Sequence, residues 1–150
     1  MVLSRPALEG TTPKEGTMRG VFGIDPGWGI TPVRVVMALV FVGAGYTKMS
    51  VGMPAVTASF GKYAIPFPWI AAPVIAVLEL VGGLFLLAGY GTRILGLLFI
   101  CEFAVTTFWV KFRLMGWQDG RLDLMILAGA LLLVVAGPGR AALDHQRRAF

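Results

Sequence analysis

Residues 69–112 read WIAAPVIAVLELVGGLFLLAGYGTRILGLLFICEFAVTTFWVKF, and this stretch decides the fold. Two apolar runs, 69–90 and 93–112, are separated only by Gly91 and Thr92. As α-helices they extend about 30–33 Å each, the thickness of a bilayer's hydrocarbon core. So short a connection forces a tight antiparallel hairpin, and Gly91 tolerates the left-handed backbone that such a helix end requires.

A first span precedes the hairpin at about residues 31–49 and a fourth follows at about 122–139, closing on Gly137-Pro138-Gly139. Pro32 falls in the first helical turn, where a missing N–H does no harm. Arg34 and Lys48 lie near opposite ends of the first span and can snorkel toward water. Between the first two spans, Pro54, Gly61, Pro66 and Pro68 break the chain, so only a short interfacial helix at about 54–60 is expected, with Val56 and Phe60 in lipid. A polar loop, KFRLMGWQDGR, is expected between the third and fourth spans. The expected architecture is therefore an all-α, four-helix transmembrane bundle over 31–139. A polar, mobile N-terminal extension (1–30) precedes it and a basic soluble tail (140–150) follows.

Composition supports a membrane over water. The chain of 150 residues is 57% hydrophobic and 14% charged, with mean hydropathy +0.78, whereas a soluble domain carries about a quarter charged residues. Lys and Arg flank apolar runs, where they meet headgroups and set topology rather than bind nucleic acid. The N-terminal side collects Arg5, Lys14, Arg19, Arg34, Arg93, Arg140, Arg147 and Arg148; the other side has Lys48, Lys62, Lys111, Arg113 and Arg121. Eight against five favours both termini in the cytoplasm. No apolar segment follows a basic start, so residues 1–30 do not read as a secretory signal.

Two carboxylates interrupt the spans, Glu79 and Glu102. A charge at the bilayer centre costs about 2.5–3.5 kcal/mol on insertion scales, which makes each a functional hypothesis by default. Glu79 lies 11 residues before Tyr90, and Glu102 lies 9 residues after Arg93. Both therefore sit about 14–17 Å from the same face, near the midplane. If they meet, two negative charges cannot both persist there, and a proton is taken up. Such a pair suits proton relay or hydrogen bonding to a quinone carbonyl; it equally suits helix–helix adhesion, and both readings stay open.

Helical spacing gathers Ala72, Ala76, Glu79 and Gly83 on one stripe, Arg34, Ala38, Phe41, Gly45 and Lys48 on another, and Glu102, Thr106 and Trp109 on a third. Arg34, Lys48 and Glu102 all remain open as the partner of Glu79. Asp119 and Asp123 are expected to stabilise a helix N-terminus. Cys101, the lone cysteine, is expected to be a small buried side chain. His145 stands alone and no span contains histidine, so no metal site is expected. The chain has no GxxxxGK[ST], HExxH, GxSxG or CxxCH pattern.

Three segments together carry a resemblance: RVVMALVFVGAGYTKM at 34–49, ELVGGLFLLAGYGTR at 79–93 and GPGRAALD at 137–144. They resemble the DoxX family of small bacterial membrane proteins, across about residues 32–144. The resemblance implies a four-helix inner-membrane bundle associated with sulfur or redox metabolism, relatives being subunits or partners of membrane oxidoreductase complexes. It implies that Arg34, Lys48, Glu79, Gly82, Gly83 and Arg93 occupy the family's recurring positions, with Gly91 at the turn. A quinone is the candidate cofactor, and membrane lipid and redox-complex proteins are the candidate partners, with self-association open. A purely structural subunit and a small-solute transporter are the alternatives.

Overall fold

The computed structural model describes residues 26–146, and among these every regular element is helical. The N-terminal extension up to residue 25, and Arg147 and Arg148 of the tail, lie outside the described residues. The order is α1 (Pro26–Val51), α2 (Met53–Lys62), α3 (Pro68–Ala88), α4 (Thr92–Met115), α5 (Trp117–Ala136) and a short α6 (Leu143–Gln146). Three helices, α1, α3 and α4, are long and apolar enough to cross a membrane. The 20 residues of α5 give a comparable length, but Asp119, Arg121 and Asp123 crowd its start.

α1 begins at Pro26, inside the expected 1–30 extension, and two further features differ from the sequence reading. The expected loop KFRLMGWQDGR is almost wholly helical: α4 continues to Met115, α5 starts at Trp117, and Gly116 alone separates them. Gly116 turns the chain with φ 93° and ψ −175°, a conformation open essentially only to glycine. Phe112 stacks on Trp117 with ring centroids 5.8 Å apart, so the tight connection buries apolar surface that a solvated loop would expose. The second difference is Val56 of α2, which is buried against the bundle rather than dissolved in lipid. The α3–α4 turn is as tight as expected, with Gly89 and Gly91 both at positive φ, 73° and 61°.

Helix contact depends on missing side chains. A Cβ on Gly45 would come within 2.5 Å of the Leu80 backbone nitrogen, and one on Gly83 within 2.9 Å of that of Val42. The backbones of α1 and α3 therefore touch, as small residues permit in helix pairs that have no hydrophobic drive to associate in lipid. Gly96 gives α4 the same approach to Val134 of α5. The core is Met37, Ala38, Phe41, Leu86, Leu95, Phe99, Ala130 and Leu133. At its centre Phe41 and Phe99 lie face to face, centroids 3.6 Å apart, with Phe103 edge-on to Phe41.

The outside is inverted relative to a water-soluble protein. Only 22%, 33% and 22% of the apolar stretches of α1, α3 and α4 are buried inside the fold; Leu39, Val74, Ile94, Leu97, Leu131 and Val135 all point outward. That much exposed hydrocarbon requires lipid around it. All four tryptophans are exposed and sit toward helix ends, Trp28 at one face and Trp69, Trp109 and Trp117 at the other. Indoles favour those two interfaces. The chain is an all-α membrane protein.

The contact of α1 with α3 can be tested with a matched pair of neighbouring glycines. Gly45→Ala drives a methyl into the Leu80 backbone and is expected to cost about 1–3 kcal/mol. Gly43→Ala, where a Cβ meets open space, is expected to be neutral or slightly stabilising. Thermal unfolding of the two variants in detergent measures the difference.

Candidate functional site: a carboxyl and lysine cluster within the bundle

The stripe predicted on α3 forms as expected: Ala72, Ala76, Glu79 and Gly83 are all buried. Around Glu79 the helix loosens into a π-helical turn over Leu78–Gly82, a departure that often marks functional positions. Gly82 faces Phe99 and Leu95 of α4 while Gly83, about 100° further round the helix, faces Val42 and Phe41 of α1. Glu79 is thus held between two neighbouring helices, 3% exposed.

Its cationic partner is Lys48. From the last turn of α1, Lys48 Nζ donates a hydrogen bond to Glu79 Oε2. Arg34 takes no part. Fourteen residues earlier on the same helix, it lies about 21 Å away along the axis, because α1 runs antiparallel to α3 and its first turns meet the end of α3. There Arg34, 2% exposed, donates from Nη1 to the carbonyls of Leu86 at 2.7 Å and Leu87 at 2.8 Å, and from Nη2 to Ala141. The Leu86 and Leu87 carbonyls lie at the C-terminal end of α3, the negative end of its dipole. The option of an Arg34–Glu79 pair is corrected accordingly.

Glu102 meets Glu79, as their matched depths suggested. The two carboxyl groups lie close together, with Lys48 and Asp123 nearby. The Glu102 Oε2 is buried without a hydrogen-bond partner. Lys48 answers Glu79 and Lys111 answers Asp123 at 2.6 Å, which leaves Glu102 as the acid of the three without a cation of its own.

The Lys111–Asp123 pair was not singled out from sequence. Asp123 is not a solvated helix-end residue; it is 4% exposed, on the face of α5 that also buries Gly120, Ala130 and Leu133. That 120–123–130–133 spacing was the available signal. On α4 the expected stripe of Thr106 and Trp109 is displaced by one residue. Thr107 and Val110 are buried instead, and Trp109 is exposed under the guanidinium of Arg113, 4.9 Å away. The cause is the π-helical winding of Val105–Met115, which replaces the 3.6-residue period assumed for an α-helix. Cys101, expected inside, is on the outer face.

The opposite end of the bundle is closed by backbone hydrogen bonds. Gly89 leaves room for Arg34 and Ala142, each within 3 Å of where its Cβ would stand. Asp144 N–H donates to the Gly89 carbonyl, and the Asp144 carboxylate accepts from the Thr92 N–H at 3.0 Å, capping α4. Arg140 N–H donates to Gly27, and Arg93 lies beside Gly137 at the end of α5. The first residues of the tail are therefore docked on the bundle. Among the described residues no three His, Cys, Asp or Glu side chains are grouped as metal ligands.

Arg34→Lys tests this clamp. A single ammonium cannot span carbonyls on α3 and on the tail as the guanidinium fork does, and a loss of about 2–3 kcal/mol is expected, the scale of hydrogen bonds to a charged group. Chemical unfolding in detergent measures it.

Known proteins were compared with this geometry in hand. The sequence model of the DoxX family matches residues 29–112, a stretch that holds Arg34, Lys48, Glu79, Glu102 and Lys111 and stops before Asp123. A curated relative from Bacillus subtilis (strain 168), named "Putative oxidoreductase CatD", is 31% identical over 112 residues, covering 75% of this chain and 81% of the relative. No solved structure matches. With more than half its length inside the family match and a relative aligned over three quarters of it, the chain belongs to the DoxX family.

Proposed function

We propose that this protein is a four-crossing membrane subunit of a redox assembly, which holds a proton at Lys48, Glu79 and Glu102 and offers it to a quinone-linked reaction. The observation that carries the reading is the Lys48–Glu79 ion pair with a second carboxyl, Glu102, close beside it on apolar helices. Such a group is expensive in lipid and is the natural place for a proton to be taken up and released. The name of the Bacillus relative, an oxidoreductase, fits a role beside electron transfer. The chain's own contribution is a proton acceptor and hydrogen-bond donor; a quinone, if bound there, would supply the redox chemistry.

Four crossings are supported by the tail. Ala141 is tied to Arg34, and Arg140 to Gly27, at the start of α1, so α5 ends at the face where α1 begins. Its early charges are also moderated, because Lys111 neutralises Asp123 while Asp119 and Arg121 stay near the interface beside Trp117. On the positive-inside count both termini lie in the cytoplasm and the bundle sits in the bacterial inner membrane. A fluorescent reporter fused after Phe150 is expected to mature in the cytoplasm, and a phosphatase reporter placed at Gly116 to be active only outside it; both reporters on one side would leave α5 lying on the surface.

A structural role is the competing reading, favoured by the fact that Glu79 and Asp123 each already have a lysine. The two readings part at substitution. Glu79→Gln and Glu102→Gln are expected to insert normally and to lower quinone-linked turnover of the native membrane about a hundredfold, the lower range for a positioned proton acceptor. Unchanged turnover in both variants, with the oxidoreductase partner still co-purifying after gentle solubilisation, would leave only the structural role.

A further inference from the structure

The two halves of the bundle interior differ in kind. Toward the face that carries the termini, the space between the carboxyl pair and Arg34 is filled by Phe41, Phe99, Leu86, Leu95, Ala130 and Leu133, all buried. Toward the other face the interior is mixed, with Ala72, Ala76 and Val110 buried beside the polar Thr107 and Asp123. Below Glu102 on α4 come Thr107 and then Lys111, and across from them on α5 stands Asp123.

Five buried side-chain atoms among the described residues lack a hydrogen-bond partner: Arg34 Nε and Thr92 Oγ1 lie at the termini end, and Glu102 Oε2, Thr107 Oγ1 and Asp123 Oδ2 lie on this half. Each such orphan costs about 1–3 kcal/mol if left dry. Three on one route are better explained by water, which enters where several polar groups line one space. The route also has a mouth. The Lys111 side chain is 31% exposed and that of Lys48 24%, while their carboxylate partners are 5% and 4%. The remaining nearby cation, Arg113, is turned outward onto Trp109.

We propose that Thr107 and Asp123 line a water-filled half-channel that joins Glu102 to the aqueous phase at the Lys111 end, so that the buried carboxyl pair exchanges protons with the face opposite the termini and not with the other. This rests on the proton-holding reading above and adds its direction. In the step itself no electron moves. A water at the Lys111 end accepts a proton from solvent; each water, and the Thr107 hydroxyl, passes one on; the last forms the O–H bond on Glu102. One positive charge is thereby carried inward and neutralises the unpaired acid. On the far side the Phe41–Phe99 stack presents no donor or acceptor, and the relay stops there.

The test reads water directly, without any assay of turnover. In a Cys101→Ala background, which removes the outward-facing native thiol, Thr107→Cys and Phe99→Cys are placed singly in the full chain. They are reconstituted in sealed vesicles of known orientation and treated with a small membrane-impermeant thiol reagent from either side. Thr107→Cys is close to isosteric, and unaltered thermal unfolding verifies its fold. It is expected to react at least about tenfold faster from the Lys111 side than from the termini side, since only a wetted thiol forms the reactive thiolate. Phe99→Cys is expected to stay unreactive from both. A Thr107→Cys that is silent from both sides would show the route to be dry, and one that reacts equally from both would show a through-channel; either result overturns the proposal. The underlying reading fails separately: a dry Thr107 with turnover still lost in Glu102→Gln removes the route alone, whereas a wet Thr107 with full turnover in Glu102→Gln removes the site it serves.

Discussion

Everything about this bundle is arranged around keeping the ion pair of Lys48 and Glu79 inside hydrocarbon. Effective penalties for taking ions out of water run to several kcal/mol each, and mutual attraction offsets them only when the geometry is good and the remaining polar atoms find partners. The structure meets that requirement by bringing helices to backbone contact at Gly45 and Gly83. The approach lets a lysine near the end of α1 reach a carboxylate halfway along α3. Larger residues at the two glycines would push the helices apart and leave Glu79 facing either lipid or an unfilled gap. The glycines and the charges are therefore one device, and Glu79 sits within the π-helical turn at Leu78–Gly82.

Arg34 solves a similar problem by other means. It too is buried, but its partners among the described residues are carbonyls, two at the end of α3 and one in the tail. A guanidinium suits this because its donors are fixed in a plane and stay charged under all ordinary conditions. A lysine at the other end suits a carboxylate that shares its surroundings with a second acid. The two ends of α1 thus perform different work: Arg34 fastens the tail and the α3–α4 turn, while Lys48 pairs with Glu79 beside a second acid.

Much of this is legible in the sequence because bilayer thickness and helical rise are fixed lengths. The antiparallel hairpin, the meeting of Glu79 with Glu102, and the buried stripes Ala72–Ala76–Glu79–Gly83 and Arg34–Ala38–Phe41–Gly45–Lys48 all follow from counting residues. What fails does so for identifiable reasons. Arg34 and Lys48 share one stripe, so periodicity alone does not say which reaches Glu79; the direction of α1 against α3 does. Thr106 and Trp109 were placed inward by a 3.6-residue period that α4 abandons after Ala104, and the winding change has no sequence signature in VTTFWVKFRLM. Asp123 stands close to Asp119 and Arg121 and so resembles an ordinary helix start, although its spacing from Gly120, Ala130 and Leu133 marks it as inward-facing.

The pattern of satisfied and unsatisfied groups carries the last step. Were the buried charges only adhesive, the economical arrangement would be two closed pairs, Lys48 with Glu79 and Lys111 with Asp123, and nothing more. A third acid, Glu102, brings a desolvation cost that no cation of its own answers. Its presence beside Glu79, with further unpartnered oxygens on Thr107 and Asp123 and the Phe41–Phe99 layer on the other side, is costly for glue alone and is what the proposed proton-holding role rests on.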